Sequence, residues 1–306
     1  MGQATNDKKA LIFALMAVGM WSTVATAFKI ALQYLEPSQL LLWAAIFSII
    51  VLSAVVTLQG KWSELRQLTT KEWAASVLYG ALNPALYYMV LFAAYDLLPA
   101  QEAQALNYSW ALTLAFLSVP FLGQKLRLQD LLAGLVCYGG VLVIATRGDV
   151  LGLEFSNLPG VGLALFSTLI WAGYWILNTK DKREPVIGLM LNFIMALPIL
   201  LLINAYLGLL TLPEPKGLAA AAYVGVFEMG VAFVCWLTAM RLTSQTAKIS
   251  NLIFLSPFIS LILIYFLLGE TIYPSTLIGL GFIIGGLLIQ QRKSAAQKAA
   301  LKELES

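Results

Sequence analysis

The stretch SQLLLWAAIFSIIVLSAVVTL, residues 38–58, contains no charged side chain, and as a helix it can cross a hydrocarbon core of about 30 Å. Nine further stretches of this kind fill the chain, and the charged residues lie almost entirely between them. Charged residues make up 11% of the sequence, against about 25% in soluble domains, and the mean hydropathy is +0.82. In lipid only helices and closed barrels satisfy their own backbone, and continuous apolar runs indicate helices. The sequence therefore predicts an all-α polytopic membrane protein.

Ten transmembrane helices are predicted, each with roughly the 17–25 residues that a crossing requires. The connections between them are short and rich in Pro, Gly and charge. The tail after residue 290 is rich in Lys, Glu, Gln and Ala and is expected to form a charged helix in water. The predicted spans are 9–33, 38–58, 73–95, 100–122, 128–145, 158–179, 185–207, 216–240, 245–268 and 275–289.

The Lys and Arg residues determine the expected orientation, because cytoplasmic loops carry an excess of them. With the N-terminus in the cytoplasm, only four of the 19 lie elsewhere: Arg147 and Lys216 on the opposite side, and Lys29 and Lys248 within helices. We therefore expect both termini to be cytoplasmic and the protein to lie in a bacterial inner membrane. The net charge of +3 follows from this bias and indicates no nucleic-acid partner.

An internal repeat relates the two halves of the chain. Shifting the sequence by 146 residues, or by 150 near the N-terminus, aligns glycines and a tryptophan. Since each copy holds five helices, an odd number, the second copy would enter the membrane upside down. Inverted repeats with a site at their interface are typical of secondary transporters, although two apolar strings can also match by chance. The matched positions are Gly123 with Gly269, Gly139-Gly140 with Gly285-Gly286, and Trp21 with Trp171.

The turns that follow predicted helices 4 and 9 carry a known pattern. Leu122-Gly123-Gln124-Lys125 and Leu267-Leu268-Gly269-Glu270-Thr271, with a Gly-Gly near the end of each half, resemble the drug/metabolite transporter superfamily and its EamA-type ten-helix members. The stretch Asn107-Tyr108-Ser109-Trp110 is similar to helix 4 of the bacterial aromatic amino acid exporters, although Ala111 stands where that branch has proline. The resemblance implies a basket-like pore, lined by helices 1, 3, 4, 6, 8 and 9, that works by alternating access.

The repeat and the resemblance together divide the chain into three regions. A first EamA-like five-helix unit is expected at 1–146, and a second, inverted unit at 147–291. A charged cytoplasmic tail is expected at 292–306.

Glu228 is the most informative candidate for a binding residue. It lies near the predicted midplane of helix 8, between Gly225 and Gly230, which allow close approach of another helix. An ionised carboxylate at that depth costs about 2.5–3.5 kcal/mol, so a compensating partner is expected. We interpret Glu228 as an anchor for a substrate ammonium or as a proton-accepting group. The structural alternative is a carboxylate that is paired internally or kept protonated.

Aromatic residues form the second candidate cluster. Trp21, Trp110 and Trp171 lie too deep for the bilayer interfaces where Trp and Tyr usually gather. Facing a pore, these rings would stack a flat substrate ring or hold an ammonium; facing neighbouring helices, they would be packing residues. Tyr79 and Tyr108 belong to the same cluster, and we predict that it lines the pore.

Amides form the third group, together with one charged pair. Asn83 precedes Pro84 in helix 3 and marks either a kink or a site, and Asn107 belongs to an amide stripe on helix 4 that is predicted to line water. Lys29 and Glu102 lie near the outer ends of helices 1 and 4 and could form a gate. Snorkelling of Lys29 is the alternative explanation.

The sequence offers little support for an enzyme. It contains no His, no Gly-rich phosphate loop and no clustered metal ligands, and we predict no cofactor and no metal. Cys137 and Cys235 fall in apolar helix interiors, where we expect small packing residues.

The expected function is a secondary transporter that exports small metabolites, with aromatic or large apolar amino acids as the favoured cargo. The alternatives are an exporter of cationic drugs or other metabolites and, in a different class, a non-transporting membrane receptor or scaffold. The expected partners are a small-molecule substrate and the lipid bilayer. The oligomeric state stays open, and a monomer is compatible with the sequence.

Overall fold

The structure, a computed structural model, describes residues 6–123, 128–152, 155–178, 181–244, 249 and 252–291. Ten apolar helices joined by short turns fill these ranges, and no β-strand occurs in them. A single helical turn, Trp62–Leu65, lies between the second and third helices. The helices are α1 Asp7–Ala31, α2 Pro37–Leu58, α3 Thr70–Leu97, α4 Ala100–Leu122, α5 Leu128–Ala145, α6 Leu158–Asn178, α7 Pro185–Tyr206, α8 Pro215–Leu242, α9 Leu252–Leu268 and α10 Pro274–Gln291.

Eight of these helices, α1 to α8, are long and apolar enough to span a membrane, while α9 and α10 are shorter. The prediction of an all-α polytopic membrane protein is therefore confirmed, and the count of ten crossings stays a prediction. Helix α3 begins earlier than predicted because Thr69 and Glu72 form a capping box at its start. Part of the predicted ninth span (245–248 and 250–251), the turn 124–127 and the tail 292–306 lie outside the described residues.

Two helices are interrupted near their middle by wider, π-helical turns, Ala81–Leu86 in α3 and Val224–Val231 in α8. Pro84 accounts for the first, because proline has no N–H and disfavours helical dihedral angles at the preceding residue. That residue, Asn83, has φ −142° and ψ 111°. The second turn holds Glu228, so each interruption carries a buried polar side chain into the interior.

Glycines bring α5 and α10 into backbone contact. A Cβ at Gly140 would lie 2.4 Å from the carbonyl oxygen of Gly279, and a Cβ at Gly286 would lie 2.7 Å from that of Ala133. A shift of 146 residues converts Ala133 into Gly279 and Gly140 into Gly286, so each contact becomes the other with the helices exchanged. The contact pattern also shows that α5 and α10 run antiparallel.

A second exchanged contact joins each interrupted helix to a neighbouring helix. A Cβ at Gly80 of α3 would lie 2.4 Å from the carbonyl oxygen of Asn192 in α7, and one at Gly225 of α8 would lie 2.2 Å from that of Ala44 in α2. Since α7 and α8 each follow α2 and α3 by five helices, the α3–α7 contact recurs as the α8–α2 contact. The close approach that was expected at Gly225 is confirmed.

Ion pairs near the ends of the helices mark the two ends of the bundle. At the first, called the Arg147 end, Arg147 in the turn after α5 pairs with Glu102 at the start of α4. At the second, called the Lys61 end, Lys61 and Arg241 both bind Glu184 just before α7. The positive-inside expectation assigns the Lys61 end to the cytoplasm.

Candidate substrate-binding site

An internal cavity of about 390 Å³ lies within the bundle, in the range that holds small molecules. Its walls come from α1, α3, α4, α6, α8 and α9, the set of helices that the resemblance implies. Towards the Arg147 end the lining residues Phe28, Tyr95 and Gln104 are buried. Towards the Lys61 end Trp21 and Trp236 are only half-buried. The walls of the cavity are therefore buried towards the Arg147 end and more exposed towards the Lys61 end.

Six of the eight residues that we predicted to bind substrate line this cavity. They come from four separate helices, so the fold brings together side chains that the sequence keeps far apart. The six are Trp21, Asn107, Tyr108, Trp110, Trp171 and Glu228.

Glu228 is the one charged residue among the cavity-lining residues in the described part of the chain. It is buried, and Tyr88 Oη donates a hydrogen bond to Glu228 Oε1 at 2.8 Å. The second carboxylate oxygen, Oε2, has no hydrogen-bond partner among the described residues. A buried carboxylate with a free acceptor, and with no Lys or Arg lining its cavity in the described ranges, is suited to bind a cation or a proton.

Trp171 is the centre of the aromatic wall. Its ring stacks on Tyr87 with the ring centroids 4.5 Å apart, and on Tyr174 with the centroids 5.6 Å apart. A second pair, Trp21 and Trp236, has its centroids 5.4 Å apart. These flat faces provide surfaces on which a planar ligand ring can stack, or over which an ammonium can sit.

Neutral donors complete the lining. Asn107 Nδ2 donates to Ser167 Oγ at 2.9 Å, and Tyr108 Oη lies 2.8 Å from Ser256 Oγ. The Nε1 of Trp175 is buried and has no acceptor within the described ranges. The described part of the lining thus contains neutral hydrogen-bond donors and no positive charge.

Tyr79 and Asn83 lie beside this cavity and do not line it. Tyr79 Oη donates to the carbonyl oxygen of Leu177 at 3.1 Å, and its ring meets that of Tyr174 edge-on. Asn83 is buried in the wider turn of α3. Sequence gives the depth of a residue along a helix, but the wider turn changes the helical periodicity and therefore the face on which Tyr79 and Asn83 lie.

The expected gate pair of Lys29 with Glu102 is wrong for this structure. Lys29 Nζ donates instead to the carbonyl oxygens of Tyr95 and Leu98, at 2.7 and 3.0 Å. These carbonyls lie at the end of α3, where helical partners are missing, so they attract a cation. Glu102 is bound by Arg147 Nε at 2.8 Å. The position of Arg147 beside α4 depends on the folding of the α5–α6 turn, which the sequence does not reveal.

The sequence does not single out several lining residues. Phe233 and Trp236 are rings within an apolar helix, where they give no contrast with their neighbours. Tyr88 is the one of these that sequence reasoning can find, because its hydroxyl lies at the depth of Glu228 and can donate a hydrogen bond to that carboxylate.

An all-helical, multi-pass bundle around an internal cavity is an architecture that membrane transport proteins use. The chain belongs to the EamA-like transporter family of the drug/metabolite transporter superfamily, whose pattern matches it twice, at residues 8–146 and 158–290. The resemblance found in the sequence is therefore confirmed, and the chain is a multi-pass membrane protein of a bacterial transporter family.

Relatives of this chain include proteins that are named as transporters. The uncharacterized transporter YvbV of Bacillus subtilis (strain 168) is 26% identical over 98% of this chain and 97% of its own length. Protein PecM of Dickeya dadantii is 26% identical over 96% of each chain. The aromatic amino acid exporter YddG of Ancylobacter novellus is 27% identical over 51% of this chain and 54% of its own. A solved crystal structure shares the fold, with 20% identity, a TM-score of 0.65, and coverage of 98% of this chain and 99% of that one.

Proposed function

We propose that the protein is a secondary transporter that exports small amphipathic metabolites, with aromatic or large apolar amino acids as the favoured cargo. The observation that carries the proposal is the unpartnered Oε2 of Glu228 in an aromatic-walled cavity. An amino acid supplies an ammonium for that oxygen and a side chain for the surface around Trp171. The ammonium also supplies the compensating charge that a buried carboxylate requires.

The carboxylate of such a cargo meets neutral donors in this proposal. Trp175 Nε1 is a buried N–H without an acceptor among the described residues. Asn107 Nδ2 donates to Ser167 Oγ, and the Asn107 side chain also hydrogen-bonds to Tyr87, so a cargo carboxylate would compete with Tyr87 for the second N–H. Hydrogen bonds to an ionised acceptor are stronger than neutral ones, so two or three such donors can hold a carboxylate.

We further propose that 1–146 and 147–291 are inverted repeats and that cargo moves by alternating access between them. The family pattern matches the chain in two pieces, and the glycine contacts of α5 with α10 and of α3 with α7 recur with the helices exchanged. When two halves can exchange their contacts, a state open at one end has a counterpart open at the other. In this proposal the structure, whose cavity walls are more exposed towards the Lys61 end, corresponds to the state that loads from that end.

The charge distribution supports a cytoplasmic Lys61 end in a bacterial inner membrane, with both termini on that side. Export then consists of loading through the Lys61 end and release at the Arg147 end. Glu228 lies between them and holds the cargo while the openings exchange.

Reconstituted liposomes test this function. Vesicles loaded with labelled tryptophan, phenylalanine, leucine or aspartate are expected to release the first three through the protein and to retain aspartate. Glu228→Gln is expected to reduce the efflux of the first three at least about tenfold, equivalent to about 1.4 kcal/mol, because an amide cannot neutralise an ammonium. The matched control is Glu36→Gln, at an exposed position before α2. Efflux of none of these amino acids would remove the amino-acid proposal, and full efflux through Glu228→Gln would remove the anchor.

A second candidate cargo is a cationic aromatic compound. It is favoured by one observation: no Lys or Arg lines the cavity within the described residues, so a cation without a carboxylate leaves no negative group to satisfy. Efflux of tryptamine in preference to tryptophan would select this candidate. A receptor or scaffold, the non-transporting alternative, would release neither compound.

A further inference from the structure

A second cavity, of about 240 Å³, lies at the Lys61 end between the end of α6, the start of α7 and α8. Trp175 and Phe233 line both this cavity and the larger one, and therefore form the partition between them. The smaller cavity lies on the Lys61 side of these two rings. The charged residues that line it are Arg183 and Asp181.

Arg183 is held as a fixed recognition element. Its side chain is 1% exposed, its guanidinium lies 4.9 Å from the centroid of the Tyr79 ring, and a Cβ at Gly188 would lie 3.4 Å from the guanidinium carbon. Nη1 donates to Ser76 Oγ at 2.6 Å, and both Nη atoms donate to Asn192 Oδ1. These contacts anchor one edge of the guanidinium to α3 and α7.

The other edge of the guanidinium holds the carboxylate of Asp181, which also accepts a hydrogen bond from the backbone N–H of Arg183 at 3.0 Å. Arg183 Nε and Nη2 donate to the two oxygens of Asp181, at distances of 2.6–3.1 Å. This is the bidentate geometry in which arginine recognises any carboxylate. Asp181 is more exposed than Arg183, at 13% against 1%, and lies in the turn between α6 and α7.

We propose that Arg183 and Asp181 form an entry subsite for the head group of a zwitterionic amino acid. This proposal rests on the proposed function and narrows its cargo to zwitterions. The cargo carboxylate takes the place of Asp181 on the Nε–Nη2 edge of Arg183, and the cargo ammonium binds the displaced Asp181 carboxylate. No cation lines the main cavity among the described residues, so the neutral donors there receive the cargo carboxylate after the subsite has bound it with a positive charge.

Charge accounting favours a zwitterion over other cargo classes. One internal ion pair and one zwitterion become two ion pairs, and no charge is left unpaired. A cation without a carboxylate would draw Asp181 away and leave the buried Arg183 without an anionic partner. An anion without an ammonium would take the place of Asp181 and leave that carboxylate unpaired. Both outcomes are unfavourable at a buried site.

Equilibrium binding of labelled tryptophan and tryptamine to the full chain in lipid nanodiscs tests the subsite, because the two ligands differ by the carboxylate alone. Arg183→Lys removes the bidentate edge but keeps the charge, and Asp181→Asn keeps the shape but removes the ammonium partner. Each is expected to raise the Kd for tryptophan about tenfold and to change that for tryptamine less than about twofold. The matched control is Ser76→Ala, which removes a hydrogen bond from Arg183 outside both cavities.

The outcomes separate this inference from the proposed function. If Arg183→Lys and Asp181→Asn weaken the binding of tryptophan and of tryptamine equally, Arg183 has a structural role and the subsite is overturned. The same conclusion follows if Ser76→Ala weakens tryptophan binding as much and lowers the melting temperature in parallel. Efflux of tryptamine but not tryptophan by the wild type would overturn the subsite and leave transport standing. Carboxylate-dependent binding without efflux would support the subsite and overturn the proposed function. Binding of neither ligand would overturn both.

Discussion

Arg147 Nε lies 2.8 Å from Glu102 Oε1, and this contact joins the α5–α6 turn to the first turn of α4 at the Arg147 end of the bundle. The two partners differ in burial: the side chain of Glu102 is 1% exposed and that of Arg147 is 44% exposed. Ser156 Oγ donates to the other oxygen of Glu102 at 2.6 Å, and the guanidinium lies 5.1 Å from the centroid of the Tyr273 ring. Both halves of the chain therefore meet at Glu102 and Arg147.

Removal of Arg147 is expected to destabilise the protein more than neutralisation of Glu102. Arg147→Gln leaves a buried carboxylate supported by Ser156, at an expected loss of about 1–2 kcal/mol after allowance for the exposure of Arg147. In Glu102→Gln the amide oxygen still accepts one hydrogen bond, and the expected loss is below about 1 kcal/mol. Titration with a denaturing detergent measures both free energies of unfolding.

Lys216→Gln is the control for this comparison, because it removes an exposed positive charge from the same end of the bundle. It is expected to leave the free energy of unfolding within about 0.5 kcal/mol of the wild-type value. Equal losses in Arg147→Gln and Glu102→Gln would show that the burial of Glu102 does not determine the energy of this contact.

The two Gly-Gly pairs provide a test of the α5–α10 packing in which each pair contains its own control. A Cβ at Gly140 would meet the carbonyl oxygen of Gly279 at 2.4 Å, whereas a Cβ at Gly139 would meet nothing within 4 Å. We expect Gly140→Ala to destabilise the protein by about 1–3 kcal/mol through overpacking. Gly139→Ala is expected to be neutral or to stabilise by up to about 1 kcal/mol, because alanine favours the helix. Free energies of unfolding measured as above give both values.

The second pair should repeat this result if the exchanged contacts are equivalent. Gly286 faces the carbonyl oxygen of Ala133 at 2.7 Å, and Gly285 faces open space. Gly286→Ala is therefore expected to destabilise and Gly285→Ala to be tolerated. A loss at Gly140 without one at Gly286 would argue against equivalent packing of the two halves.

Sequence alone predicts the helical membrane fold because hydropathy acts over whole segments and does not depend on tertiary contacts. It also finds Glu228 and Trp171, because a carboxylate or a large ring stands out at midplane depth. It misses Phe233, since an apolar ring has no contrast in an apolar helix. It also misses the burial of Arg183, because a cation in a turn is expected in water and only the folded neighbours Tyr79 and Asn192 bury it.

Pairings are harder still to obtain from sequence. From the sequence, Lys29 and Glu102 are known only to carry opposite charges at a similar depth in the membrane, and this does not determine which residues pair. The partner that Glu102 actually binds is decided by the path of the α5–α6 turn, and the carbonyls that Lys29 binds are exposed by the end of α3. These are consequences of tertiary structure.

Glu184 is expected to give the protein a measurable loss of stability in acid. Burial raises the pKa of Glu184, but hydrogen bonds from Lys61 and from the N–H of Ile187, with the charge of Arg241, hold the pKa below its ordinary value of 4.5. A lowered pKa in the folded state contributes stability above that ordinary value and loses it as the pH falls through the folded value. Between about pH 6 and pH 3, the wild type should lose about 1 kcal/mol more than Glu184→Gln.

Glu214→Gln is a matched control for this titration, because Glu214 also precedes a helix that begins with proline but is exposed and makes no capping hydrogen bond with its side chain. Its acid profile is expected to follow that of the wild type. A Glu184→Gln profile that also follows the wild type would show that the contacts of Glu184 with Lys61 and Arg241 contribute no pH-dependent stability.

Trp171 is expected to determine the preference for aromatic cargo. Its ring stacks on Tyr87 and Tyr174 and lines the cavity. A stacked aromatic pair is worth about 0.5–1.5 kcal/mol beyond its area, so Trp171→Leu should lower the ratio of phenylalanine to leucine efflux about two- to tenfold. Trp73→Leu, at an exposed position near the start of α3, should leave that ratio unchanged. If efflux of both amino acids falls in equal proportion in Trp171→Leu, the ring supports the packing of α6 and does not select the cargo.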